Sequence, residues 1–165
     1  MQLKVWQRLS KNEIQILKEN SLESLNKIST VASIGGGPIG AGWAAHFLAK
    51  GLTVKCYLHS ENEIDDYKAL IKTAWETLEK LGIDKTASLE KMQICTNLKE
   101  SLSEVDFVQE SIPEILNVKQ DFYSQIDLFL NPSVIIASST SGLLISDIVK
   151  NCNTKDRAIV GHPFN

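Results

Sequence analysis

Two groups of residues in this chain have the types and spacing to do chemistry. The first is Gly35-Gly36-Gly37-Pro38-Ile39-Gly40, a GxGxxG loop that begins where the apolar run Val31–Ile34 stops. A backbone that must cradle a pyrophosphate needs this pattern. Gly35 permits the tight turn, Gly37 lets the main chain approach the phosphates, and Gly40 lets the following helix pack close to the strand. Pro38 and Ile39 open that helix, whose first N–H groups and partial positive charge face the anion. Glycines cluster in many turns, so the loop alone says little. Set between a strand and a helix, it reads as a dinucleotide fingerprint, with NAD as the expected cofactor.

The second group lies downstream. Glu110, Glu114 and Lys119 come first, then Ser138-Ser139-Thr140-Ser141 after an apolar run, then Gly161-His162-Pro163-Phe164-Asn165 after another. A Ser/Thr cluster after a strand is, taken by itself, a turn or a helix cap. In a doubly wound sheet, however, ligands bind beyond the carboxyl ends of the strands. The serines and His162 follow successive strands and are expected to share a crevice with the glycine loop. A histidine beside a nicotinamide can take a hydroxyl proton as hydride leaves the same carbon. A serine hydroxyl can hold the reacting oxygen in place.

The elements that must position these groups follow from periodicity. Residues 31–34, Thr53–Leu58, Met92–Cys95, Val105–Gln109, Val134–Ala137 and Ala158–Val160 read as strands. Pro38 to about Lys50 reads as a helix closed by Gly51, and Glu61 to Leu81 as a second closed by Gly82. Glu114–Leu130 is a third, stopped at Asn131-Pro132, and Leu143–Val149 a short fourth. Strands alternating with helices predict an α/β, Rossmann-type, doubly wound and mostly parallel sheet. Residues 1–30 stand outside this pattern. They are expected to form a helical extension, and residues 31–165 the nucleotide-binding domain.

Bulk composition narrows the classes. The 165 residues carry a formal net charge of −3 and are 43% hydrophobic. That balance gives no electrostatic reason for nucleic acid or an anionic membrane as partner. No run is long enough to span a bilayer, and the N-terminal residues lack the apolar stretch of a secretory signal. Cys56, Cys95 and Cys152 are odd in number and widely spaced, which predicts neither a disulfide framework nor a zinc site and fits the cytoplasm.

The fingerprint has one defect. An acidic residue is expected near the end of the second strand to hold the adenosine ribose hydroxyls. Leu58 occupies that place, with no Asp or Glu before Glu61 and no arginine nearby for a 2′-phosphate. NAD is then bound more weakly, or the ribose is held by His59, Ser60 or backbone groups, or the domain has lost its cofactor and is a non-catalytic nucleotide-binding module.

From Val31 to Asn165 the chain resembles the cofactor domain of the 3-hydroxyacyl-CoA dehydrogenase superfamily. AWETLEKLGI (74–83), VQESIPE (108–114), SSTSGLL (138–144) and VGHPFN (160–165) are most similar to its carnitine 3-dehydrogenase branch, then to the gulonate 3-dehydrogenase and lambda-crystallin branch. The resemblance implies pyrophosphate contacts at Gly35, Gly37 and Gly40 and cofactor contacts at Glu114 and Lys119. It further implies that Ser141 bonds the reacting oxygen, that His162 is the catalytic base, and that Asn165 lies beside nicotinamide and substrate. The substrate is expected to be a small 3-hydroxy acid, L-carnitine going to 3-dehydrocarnitine, with a 3-hydroxyacyl-CoA or L-gulonate as alternatives. Ala74 and Leu81 fall near the family's coenzyme A positions and match them poorly. In the family, the glutamate that orients the histidine and the helical domain that shapes the pocket and makes the dimer both lie beyond Asn165. These 165 residues are therefore expected to bind cofactor with little turnover, and the full-length protein to be a homodimer.

Overall fold

A computed structural model describes residues 28–153 and 155–163. The expectations for residues 1–27, for Phe164 and for the site residue Asn165 lie outside the described residues.

Six short strands form one sheet: β1 (Thr30–Ile34), β2 (Thr53–Tyr57), β3 (Met92–Cys95), β4 (Phe107–Glu110), β5 (Ile135–Ser138) and β6 (Ala158–Val160). Their order is β3-β2-β1-β4-β5-β6, and every neighbouring pair is parallel. The chain thus runs outward to one edge, returns to the middle, and runs outward to the other. Between β1 and β4 the order reverses, which opens a crevice at the strand ends where ligands of such sheets bind.

Parallel pairing demands crossovers, and five helices supply them: α1 (Pro38–Ala49), α2 (Ile64–Leu81), α3 (Leu98–Ser101), α4 (Leu116–Ile126) and α5 (Ile145–Ile148). Side-chain alternation along β1 feeds both faces of the sheet. Val31 joins Ala41, Ala44, Ala45, Leu48, Tyr67, Ile71 and Trp75 beneath α1 and α2. Ala32 and Ile34 join Phe122, Tyr123, Ile126 and Ile148 beneath α4 and α5. The alanines of α1 let that helix lie close to the strands. Ser33 is the fully buried polar residue of β1 and donates to the Gly40 carbonyl at 3.0 Å, pinning the first turn of α1 to the sheet.

Gly51 and Gly82 close α1 and α2 with φ of +80° and +97°, a region that other residues rarely enter. The end of α2 and the strand β3 fall where hydrophobic spacing puts them. Several bounds shift by one to four residues, and three of these shifts have a visible reason. α2 is preceded by a separate 3₁₀ turn, Glu61–Glu63, capped by Ser60, whose hydroxyl accepts from the Asn62 N–H. β4 begins at Phe107 rather than Val105, because the Asp106 carboxylate accepts from the N–H groups of Ser29 and Thr30 before pairing starts. α4 begins at Leu116 because Glu114 is engaged elsewhere.

Candidate active site

The glycine loop fits an anion. Gly35 has φ +120°, and a Cβ there would lie 2.5 Å from the Ser111 carbonyl oxygen. A Cβ on Gly40 would collide with the Gly35 carbonyl oxygen, so helix and turn can meet only through glycine. Above Gly37 the space is open, with nothing within 4 Å of where a Cβ would project. Gly37 is the N-cap of α1 and offers no side-chain cap, Pro38 follows, and the first turn carries no acidic residue. The first amides of α1 therefore keep their hydrogen-bonding capacity and dipole for a ligand.

Cavities flank this loop on both sides. The larger, about 1080 Å³, is lined by Gly35, Gly36 and Gly37 at its base. Tyr57, Leu98, Ile112 and Phe122 give it apolar walls that can take a purine. The smaller, about 440 Å³, lies along α1 between Pro38, Ile39, Trp43 and His46 on one side and Pro163 on the other. The chain after β6 thus runs beside the opening turn of α1. A dinucleotide laid across that turn would have one half in each direction.

Behind the loop is a polar chain, buried at Glu110 and Lys119 and reaching the surface at Glu114. The Glu110 carboxylate, fully buried at the end of β4, accepts from Lys119 Nζ at 2.5 Å, the Ile112 N–H at 2.8 Å, Ser138 Oγ at 2.6 Å and Tyr123 OH at 3.4 Å. Burial and the neighbouring Glu110 charge raise the Tyr123 phenol well above its ordinary range, so it stays a donor. Lys119 is also fully buried and lies 3.6 Å from the Glu114 carboxylate. Glu114 in turn accepts from Thr140 Oγ1 (2.7 Å), the Ser141 N–H (2.8 Å), the Gly142 N–H (3.1 Å) and Ser141 Oγ (3.5 Å). The line Glu110–Lys119–Glu114 therefore runs from the sheet to the loop that carries Ser141.

Gln109, also buried, ties the remaining pieces. Its Nε2 donates to Ser139 Oγ at 2.9 Å and to the Gly161 carbonyl at 3.2 Å. Ser139 shares a second bond with Ser111 Oγ at 2.9 Å, and the Gly161 N–H donates to the Ser138 carbonyl at 2.8 Å. These contacts lock the ends of β4, β5 and β6 side by side, so the Ser141 loop and His162 emerge from adjacent strands. Both residues are exposed, and neither lines either of the two cavities. Gln109 was not foreseen, and Glu110 was noticed without a role. The available signal was two polar residues ending VQE, where a strand buried on both faces should be apolar.

Glu114 titrates unusually low. Burial opposes its ionisation, but the bonds from Thr140, Gly142 and Ser141 and the Lys119 charge outweigh that and hold it at about 2 against an ordinary 4.5. The depressed carboxyl stabilises the fold in full above about pH 4.5 and loses that contribution as pH falls toward 2. Urea unfolding across that window is expected to show a steeper acid loss for the native chain than for Glu114→Gln. Equal slopes would mean that the carboxylate does not hold the Ser141 loop.

The switch point, the glycine loop and the uncapped helix start together define a dinucleotide-binding domain of the Rossmann class. More narrowly, the chain belongs to the family of 3-hydroxyacyl-CoA dehydrogenase NAD-binding domains, whose model matches residues 30–165. Its cofactor is NAD. Among its relatives is the L-carnitine dehydrogenase of Nocardiopsis dassonvillei, 39% identical over 149 residues covering 90% of this chain and 45% of that protein. That of Burkholderia mallei is 40% identical over 141 residues, 86% of this chain and 44% of the relative. The chain spans less than half the length of these curated relatives. A solved (S)-3-hydroxybutyryl-CoA dehydrogenase from Ralstonia eutropha superposes with a TM-score of 0.75 at 29% identity, covering 84% of this chain and 50% of the other.

Proposed function

We propose that this domain serves an NAD-dependent dehydrogenase of small 3-hydroxy acids, with L-carnitine as substrate and 3-dehydrocarnitine as product. The observation that carries the reading is the locked trio of strand ends, which sets the Ser141 loop and His162 on neighbouring strands next to the phosphate loop, in a chain 39% identical to an L-carnitine dehydrogenase. Gly35, Gly37, Pro38, Ile39 and Gly40 hold the pyrophosphate through backbone amides. Bound there, NAD supplies the acceptor for the hydride leaving the hydroxyl-bearing carbon.

The protein's own residues handle the rest. His162 takes the hydroxyl proton as the carbonyl forms, and Ser141 Oγ holds the same oxygen so that proton and hydride leave in one geometry. Glu114 fixes the Ser141 backbone, and Lys119 contributes on the cofactor side by holding Glu114 in place. Asn165 is assigned to the nicotinamide and substrate end. No step calls for a metal, and no helix among the described residues is long and apolar enough to cross a membrane.

The test is initial-rate NADH formation by the complete gene product that carries this chain, given L-carnitine, 3-hydroxybutyryl-CoA or L-gulonate. L-carnitine is expected to give the highest kcat/KM, by tenfold or more. A preference for the CoA ester or the sugar acid would keep the chemistry and replace the substrate. No NADH from any of the three would end the dehydrogenase reading.

A further inference from the structure

Leu58 stands where dinucleotide folds of this type place the acid that binds the adenosine ribose, and it is wholly buried, packed with Cys56, Tyr67 and the α1 alanines. The end of β2 therefore offers the ribose no carboxylate. A carboxylate nevertheless lies over the glycine loop. A Cβ placed on Gly36 would sit 2.5 Å from Glu63 Oε2, and only 3.3 Å from Leu58 Cδ2. Glu63 thus reaches back from the 3₁₀ turn after β2 and covers the spot that Leu58 vacates.

We propose that Glu63 is the ribose-binding acid of this domain, accepting the adenosine 2′- and 3′-hydroxyls and selecting NAD over NADP. The assignment rests on the cofactor reading of the glycine loop. Three further features support it. Glu63 lines the larger cavity beside Gly35, Gly36 and Gly37, on the β2 side, away from the strand ends that carry Ser141 and His162; this is the adenosine half. Its carboxylate has no hydrogen bond or ion pair with any described residue, so its acceptor capacity is open to a ligand. And the turn that aims it is fixed: the Glu63 N–H donates to the Ser60 carbonyl at 3.2 Å, while the Ser60 hydroxyl caps the same turn through the Asn62 N–H.

The choice between the two cofactors follows from charge. A 2′-phosphate carries close to two negative charges and would be set against Glu63, with Asp66 also on the cavity wall. No lysine or arginine lines that cavity to offset them. His59 and Ser60 line it as well, but the atom nearest the Gly36 Cβ position is Glu63 Oε2. The place of the lost acid has moved five positions along the chain, from the strand end to the turn behind it.

Equilibrium titration of the chain with NADH and NADPH, followed by nicotinamide fluorescence, tests the assignment without turnover. The native chain is expected to prefer NADH by about a hundredfold. Glu63→Gln should weaken NADH about tenfold, the loss expected for hydrogen bonds to a charged acceptor, and leave NADPH no weaker. Glu63→Lys should gain NADPH affinity, which a merely disrupted fold would not produce. Asp65→Asn, exposed at the start of α2 and outside the cavity lining, should change NADH affinity less than threefold. If Glu63→Gln binds NADH as the native chain does and keeps its preference, the assignment is wrong. If the native chain binds neither cofactor, the cofactor reading itself falls, and the assignment with it.

Discussion

Lys119→Met is expected to lower unfolding stability by about 3–5 kcal/mol, the cost of leaving a buried charge without its counterion. The Glu110 carboxylate would keep three donors, the Ile112 N–H, Ser138 Oγ and Tyr123 OH, but no positive charge. For a domain of this size that is a large fraction of the total. Methionine fills much the same volume as the lysine stem, so the loss reports the missing charge rather than a cavity. The double variant Glu110→Gln/Lys119→Met should recover part of it, because the uncompensated carboxylate is then gone as well. Urea denaturation of the three proteins gives the answer. A Lys119→Met loss below about 1 kcal/mol, the range of an exposed pair, would mean that the pair does not organise the site.

His162→Ala carries the second large effect. In the complete gene product, removing a positioned general base is expected to reduce kcat by about 100- to 10,000-fold. NADH affinity should stay within a few-fold if, as proposed, the amides at the start of α1 hold the pyrophosphate and Glu63 holds the ribose. A large loss of NADH affinity with only a small change in kcat would move His162 from base to cofactor contact.

These predictions draw on parts of the molecule that were unequally visible in the sequence. The sheet was legible because the alternation of strand and helix signals admits only a parallel arrangement, and because Gly35, Gly51 and Gly82 stand where the backbone must turn left-handed. Boundaries were less so. Val105 is buried and apolar, which reads as strand, yet it lies before the first ladder bond of β4. Apolar patterning records burial, and burial extends past hydrogen-bonded pairing. The single turn of α3 left no periodicity to detect; only its cap, Asn97 accepting from the Glu100 N–H, marked it.

The site divides in the same way. The glycine loop could be read because each glycine answers a local steric demand. The serine cluster and His162 could be named because each follows a strand, and the family resemblance singled out Ser141 within the cluster. The network behind them could not, because Gln109, Glu110 and Lys119 act through partners up to 52 residues away, and nothing local announces such pairing. Leu58 can be read in the sequence as lacking the expected acid, but the proposed role of Glu63 cannot, because only the fold shows that its side chain bends back over Gly36.

In the proposed reaction, hydride leaves the hydroxyl-bearing carbon of a 3-hydroxy acid for NAD held on this domain. L-carnitine deuterated at C3 tests it most directly, incubated with NAD and the complete gene product, with the NADH analysed by mass spectrometry. One deuterium is expected in each NADH formed, with none lost to water. Unlabelled NADH, or 3-dehydrocarnitine formed without labelled NADH, would contradict it.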